Sequence, residues 1–130
     1  MTTRPAFLPD TNAAVAYLNG NIAIATLLGG GTVFISSIVL GELYFGAENS
    51  SRRAENIARV AAFAEGRSIV GCEEPVSRKY GQIKMALRVA GRPIPQNDTW
   101  IAAQALHYDL TLITRDNHFN HVAGLSLVGW

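Results

Sequence analysis

Between Asp10 and Glu42 the chain runs for 31 residues without one charged side chain. A stretch of that length is either packed into a protein interior or set across a membrane. A membrane span needs about 20 consecutive apolar residues, and here Asn19-Gly20-Asn21 and Gly29-Gly30-Gly31 divide the stretch into shorter pieces. Short buried helices and a strand are the expectation. The whole chain supplies the core that such pieces need: 130 residues with 48% hydrophobic and only 16% charged side chains fit one domain, 1–130. Eleven basic residues against ten acidic exclude a disordered chain, a strongly basic nucleic-acid coat and an acidic tail. The single cysteine, Cys72, forms no internal disulfide and is too little for a zinc cluster, so a reducing compartment is expected. Met1-Thr2-Thr3-Arg4-Pro5 is followed by no apolar signal region. The expectation is a soluble, cytoplasmic domain.

The remaining charge is unevenly spread. Fifteen of the 21 charged residues fall between Glu42 and Arg92, and Pro93 to Trp130 holds only Asp98, Asp109, Arg115 and Asp116. Strand and helix patterns alternate along the chain. Strands are predicted over 6–9, 32–35, 68–70, 110–114 and 125–128, and helices over 12–18, 22–28, 37–47, 52–65, 75–90 and 97–108. Ser36 or Ser37, and then Ser51, are the predicted N-caps of the two middle helices. Pro75 opens the long helix and Gly91 stops it. Strands separated by helices, with no hairpin turns, imply a mainly parallel sheet covered on both faces: a three-layer α/β/α sandwich.

That architecture gives the isolated acids a place. In parallel α/β sheets, ligand sites form at the carboxyl ends of the strands, where helix N-termini also gather. Asp10 follows the first strand directly and Asp116 follows the 110–114 strand. Asp98 starts its helix on the stripe of Ile101, Ala102 and Ala105, which should face the sheet. Glu42 lies five residues past Ser37, about 7.5 Å along its helix. Each acid also has a plainer reading. Asp98 fits an N-cap, Asp116 a turn residue paired with Arg115, and Asp10 an Asx turn with Asn12. Glu42, crowded by Leu40, Leu43, Tyr44 and Phe45, has no cation nearby in sequence. Four converging carboxylates repel one another and take up protons unless a cation sits between them. The hard cations suited to carboxylates, water and phosphate chemistry are Mg²⁺ and Mn²⁺.

Four blocks carry a resemblance: Phe7-Leu8-Pro9-Asp10-Thr11-Asn12, Ile35-Ser36-Ser37-Ile38-Val39-Leu40-Gly41-Glu42-Leu43, Pro95-Gln96-Asn97-Asp98-Thr99-Trp100-Ile101-Ala102-Ala103, and Leu110-Thr111-Leu112-Ile113-Thr114-Arg115-Asp116-Asn117-His118-Phe119. In their order and spacing, over nearly the whole chain, they resemble the PIN-domain ribonucleases, and most closely the VapC-type toxins of bacterial and archaeal toxin–antitoxin pairs. The resemblance implies that Asp10, Glu42, Asp98 and Asp116 bind Mg²⁺ or Mn²⁺ and catalyse RNA hydrolysis, with Thr11 and Asn12 supporting them from behind. It implies a homodimer held in check by a cognate VapB-type antitoxin whose tail fills the acidic groove. Pro9 departs from the family, where an aliphatic residue is usual. It has no N–H for the ladder, so the strand must bend or end there.

Other features carry less. Gly29-Gly30-Gly31 is followed by a strand and by no Lys-Ser/Thr, so it reads as a turn rather than a phosphate loop. His118 and His121 lack a third zinc ligand and read as surface or loop histidines. Cys72 reads as a packed thiol. Lys84, Arg88 and Arg92 share one face of the long helix, either a solvated face or an RNA-backbone track. The alternative to a nuclease is a non-catalytic module of the same fold that binds RNA or protein. A phospho-acceptor or aspartate-nucleophile phosphatase needs a lysine at the acidic edge, and the only lysines, Lys79 and Lys84, lie inside one helix.

Overall fold

The computed structural model describes residues 3–130. In chain order it forms β1 (Ala6–Pro9), α1 (Thr11–Leu18), α2 (Ile22–Gly29), β2 (Thr32–Ser36), α3 (Ser37–Glu48), α4 (Arg53–Ala64), β3 (Ser68–Val70), α5 (Glu74–Val89), α6 (Gln96–His107), β4 (Thr111–Ile113), a 3₁₀ helix (Asn117–His121) and β5 (Leu127–Val128). The expectation about the N-terminal segment falls partly on Met1 and Thr2, which lie outside the described residues. Among the described residues, no helix is long and apolar enough to cross a membrane.

The strands form one sheet in the order β3-β2-β1-β4-β5, and every pairing is parallel. Side-chain alternation gives the central strands β1 and β4 two buried faces. On one, Phe7 and Ile113 pack with Ala13, Ile24 and Leu28 of α1 and α2, while Val39 and Leu43 of α3 and Val60 and Phe63 of α4 belong to the core on the other. On the other, Leu8 and Leu112 pack under α6, which α5 covers in turn. The result is the three-layer sandwich. Leu8, Ile35, Ile101, Leu112 and Phe119 are at most 1% exposed, each contributing about 1.5–3 kcal/mol of burial.

Local chemistry sets the boundaries. Ser36 Oγ accepts the amides of Ile38 and Val39 at 3.1 and 3.2 Å, so Ser36 rather than Ser37 caps α3. Asn21 caps α2 in the same way at 3.1 Å. Ser51 does not cap α4. The cap residue is Arg52, which makes no side-chain cap bond; it pairs instead with Glu55 in the first turn at 3.7 Å. Pro75 stands in the first turn of α5, and Gly91, just past its end, has φ +70°, a conformation glycine adopts without penalty. Gly31 is required for space: a Cβ there would lie 2.6 Å from both the Phe7 ring and the Pro5 carbonyl. Gly29 ends α2, and Gly30 and Gly31 make the turn into β2. Asp109 has φ 55° in the turn between α6 and β4, which accounts for that isolated acid.

Pro9 closes the central strand. Pairing with β2 is registered at Ala6↔Thr32 and Phe7↔Val33, whereas pairing with β4 continues to Pro9↔Ile113. The Asp10 amide then donates to Ile113 O at 3.0 Å. Because successive amides alternate sides, the missing N–H faces β2, where the ladder has already ended. The proline therefore leaves Asp10 fixed on the β4 side.

Candidate functional site

Asp10 is the innermost of the four acids, 5% exposed at the exit of the central strand. Its Oδ1 accepts the Ala13 amide at 2.9 Å, so Asp10 is the N-cap of α1 rather than the head of an Asx turn with Asn12. Its Oδ2 accepts the Thr114 hydroxyl at 2.5 Å. Thr114 Oγ1 in turn accepts the Asp116 amide at 2.9 Å. One buried hydroxyl thus ties the acid after β1 to the acid after β4. Thr114 gives no sign of this role in the sequence, since a threonine at a strand end looks like any β-branched strand residue.

Glu42 joins from α3. Thr11, the first residue of α1, donates its hydroxyl to Glu42 Oε1 at 3.0 Å. Asn12 does not share that role: it is exposed and makes no side-chain hydrogen bond to another described residue.

Asp98 stands in the first turn of α6, two residues after its start at Gln96; the cap position is Pro95. The N-cap reading of Asp98 therefore fails. Ile101, Ala102 and Ala105 are buried as the stripe requires, and the carboxylate looks across to the segment after β4. There Asp116 caps the 3₁₀ helix, its Oδ1 accepting the His118 amide at 2.9 Å. Arg115 does not pair with Asp116. It turns away, stacks 3.5 Å from the Trp130 ring centroid and donates to the Trp130 carbonyl.

His118 is a loop histidine in part, as expected, with its side chain half exposed. Yet Nδ1 lies 3.1 Å from Asp116 Oδ1 and 3.5 Å from Asp98 Oδ2. One donor atom each from Asp98, Asp116 and His118 lie within 4.8 Å of one another. The 3₁₀ helix that presents the histidine was not expected from sequence, and the signal available was Asp116-Asn117-His118, an acid with helix-capping chemistry. No lysine or arginine forms an ion pair with any of the four acids among the described residues.

The electrostatics follow from this placement. Burial raises the pKa of Asp10; its hydrogen bonds to Thr114 and Ala13 oppose that, and the charges of Asp116 and Glu42 add to it. Burial likewise raises Asp98, with the His118 hydrogen bond opposing and Asp116 and Asp10 adding. These carboxylates repel one another. The donor set is oxygen-rich, buried on one side, open on the other, and free of lysine or arginine partners, which suits a divalent cation bound through carboxylates and water.

The basic face runs toward this edge. Lys84 and Arg88 are exposed on α5 and Arg92 lies just beyond it. The Tyr108 hydroxyl, at the end of α6, donates to Glu73, at the start of α5. The two helices are therefore antiparallel, and the C-terminal half of α5 borders the half of α6 that carries Asp98. Arg92 Nη1 stands 3.4 Å from His121 Nε2, at the far end of the 3₁₀ helix that Asp116 caps.

One buried polar cluster was missed altogether. Gln104, fully buried on α6, accepts the Ser36 hydroxyl at 2.6 Å and presents its amide to the carbonyls of Val70 and Gly71 at 3.1 and 3.2 Å. Cys72 packs against it at 3.5 Å, a packed thiol as expected.

The profile of the PIN domain family matches residues 7–125. The ribonuclease VapC2 of Rickettsia felis is 29% identical over 132 residues, covering 95% of this chain and 97% of that protein. The tRNA(fMet)-specific endonuclease VapC of Shigella flexneri is 30% identical over 128 residues, with 95% and 97% covered. Among solved structures, DNA-bound VapBC from Salmonella typhimurium has a TM-score of 0.90 at 28% identity, over 97% of this chain and 98% of that one. VapBC2 of Rickettsia felis bound to a DNA fragment from its promoter has a TM-score of 0.88 at 28% identity, over 96% and 98%.

Proposed function

The chain belongs to the PIN-domain family, in its VapC-type branch, and we propose that it is the toxin of a toxin–antitoxin pair: a divalent-metal-dependent endoribonuclease whose active site is Asp10, Glu42, Asp98 and Asp116. The observation that carries this reading is the meeting of the four acids at one sheet edge with no lysine or arginine among them. Such a set is poorly suited to stand alone, and two of its members are already pushed toward protonation. It fits Mg²⁺ or Mn²⁺, held by Asp10, Asp98 and Asp116 with Glu42 directly or through water.

When bound, the metal supplies a water of lowered pKa and neutralises charge on the phosphate during in-line displacement, with no covalent enzyme intermediate. The chain's own residues do the positioning. Thr114 ties the Asp10 carboxylate to the Asp116 backbone amide through one hydroxyl. Thr11 holds Glu42 over the same edge. Asp10 caps α1, whose positive end favours its ionised form against burial. Lys84, Arg88 and Arg92 give the RNA backbone a cationic track beside the acids. The partners in this reading are RNA, a second copy of the chain, and a VapB-type antitoxin whose tail covers the acidic groove.

The test has two arms. Purified protein, freed of contaminating nuclease, should cleave RNA with Mg²⁺ or Mn²⁺ and stop in excess chelator; cleavage that continues in chelator would overturn the mechanism. Expression of the chain alone should arrest growth, with relief on co-expression of the short protein encoded beside it. Arrest that persists unchanged in Asp10→Asn would separate toxicity from nuclease chemistry.

A further inference from the structure

Resting on that metal-centre reading, we propose that His118 is a further protein ligand of the centre, adding a nitrogen donor beside Asp98 and Asp116 and biasing the site toward Mn²⁺ over Mg²⁺. The imidazole nitrogen already stands near coordination spacing from both carboxylates. Adjacent donors on an octahedral ion with bonds of ~2.1 Å sit ~3.0 Å apart, and opposite ones ~4.2 Å. Here Nδ1 of His118 is 3.1 Å from Asp116 Oδ1 and 3.5 Å from Asp98 Oδ2, and the three donors all fall within 4.8 Å.

The histidine is held rather than loose. Its amide is bonded to Asp116 Oδ1 at 2.9 Å, and the next residue, Phe119, is 1% exposed in the core. Its ring has no hydrogen-bond partner among the described residues except the two acids, whereas His121 is engaged with Arg92. Chemistry then gives the selectivity. Mg²⁺ takes oxygen ligands and sheds water reluctantly, while imidazole favours first-row transition ions. A purely carboxylate site discriminates little between Mg²⁺ and Mn²⁺; one imidazole tips it.

The rival role for the ring is that of an internal cation which pairs with the acids and competes with metal. The two roles predict opposite signs. The probes are Mn²⁺ and Mg²⁺ alone, added to metal-free protein. Pulsed electron paramagnetic resonance of the Mn²⁺ form should detect a directly coordinated ¹⁴N. The coupling should vanish in His118→Gln, which keeps a hydrogen-bond donor but no imidazole, and persist in His121→Gln. Calorimetry on the same variant should show Mn²⁺ affinity falling on the order of tenfold or more, with Mg²⁺ affinity changing far less. Bound Mn²⁺ without nitrogen coupling, coupling that survives in His118→Gln, or tighter binding of both ions in that variant would each overturn the ligand role. Wild-type protein that binds neither ion would instead overturn the metal-centre reading beneath it.

Discussion

Two buried polar clusters sit at the carboxyl ends of the same sheet, and they are built on opposite terms. Around Gln104, every partner is neutral: the Ser36 hydroxyl on one side, the Val70 and Gly71 carbonyls on the other. Around Asp10, the partners include other carboxylates, and Asp116, Glu42 and Asp98 add negative charge to a site where burial already disfavours it. A neutral network satisfied from within holds elements together: here α6 is pinned to the ends of β2 and β3. A like-charged cluster weakens the empty fold and is retained for what it binds. The first cluster is therefore assigned to stability and the second to chemistry, and substitutions should separate them.

The largest effect belongs to the acids. Asp10→Asn keeps the α1 cap, because Asn caps about as well as Asp, yet removes a charge from the centre. RNA cleavage should fall by about 10³-fold, roughly 4 kcal/mol of barrier, while the circular-dichroism spectrum and melting temperature stay close to wild type. A variant that unfolds instead, or cleaves normally, breaks the assignment. The reverse pattern is expected at the neutral cluster. Gln104→Leu strands the Ser36 hydroxyl and two carbonyls away from water, at about 2–4 kcal/mol of stability and on the order of 10 °C in melting temperature. Well below that temperature its cleavage rate should remain within a few-fold of wild type. The metal response comes next. Mn²⁺ at about 100 times its dissociation constant should add ~2.7 kcal/mol to wild type and to Gln104→Leu alike, and much less to Asp98→Asn.

How far these clusters were readable from sequence differs in the same way. The acids stood out because charge is scarce around them: no charged residue between Asp10 and Glu42, and only four after Arg92. Parallel strands were legible from their alternation with helices, and the sheet edge followed. The strand order was not, because nothing in β3 or β5 says which neighbour each will take. Gln104 lay in plain view, three residues after Ile101 on the buried stripe of α6, but an Ala-rich helix hides one polar residue well. Thr114 was hidden as one more β-branched residue at a strand end, and the role of His118 depends on the 3₁₀ helix after β4, whose five residues are too few for a periodic pattern. Ser51 misled because a serine before a helix is good capping chemistry wherever it falls; the helix began two residues later.

The smallest effect is the most direct measure of the repulsion. Asp98 has its pKa raised in the fold, by burial first and by Asp116 and Asp10 in addition, against the opposing pull of His118. A carboxyl with a raised folded pKa binds more protons folded than unfolded. The stability it contributes is therefore present at low pH and lost as pH rises from the ordinary aspartate value through the elevated one. Metal-free wild type and metal-free Asp98→Asn share every other titrating group, so the difference between their stability–pH curves reports Asp98 together with the effect of its charge on Asp116, Asp10 and His118. Asp98→Asn also gives up a favourable charge in the first turn of α6, about 0.3–1 kcal/mol at an exposed helix end. Absolute stabilities at one pH therefore mix two effects of opposite sign, and the slope does not. Denaturant unfolding in chelator should show wild type losing stability relative to Asp98→Asn as pH climbs across that window. With saturating Mn²⁺ the sign should invert, because the ionised carboxylate is then the form that binds. Parallel curves in chelator would mean that Asp98 is an ordinary first-turn acid, and the contrast between the two clusters would then rest on Asp10 alone.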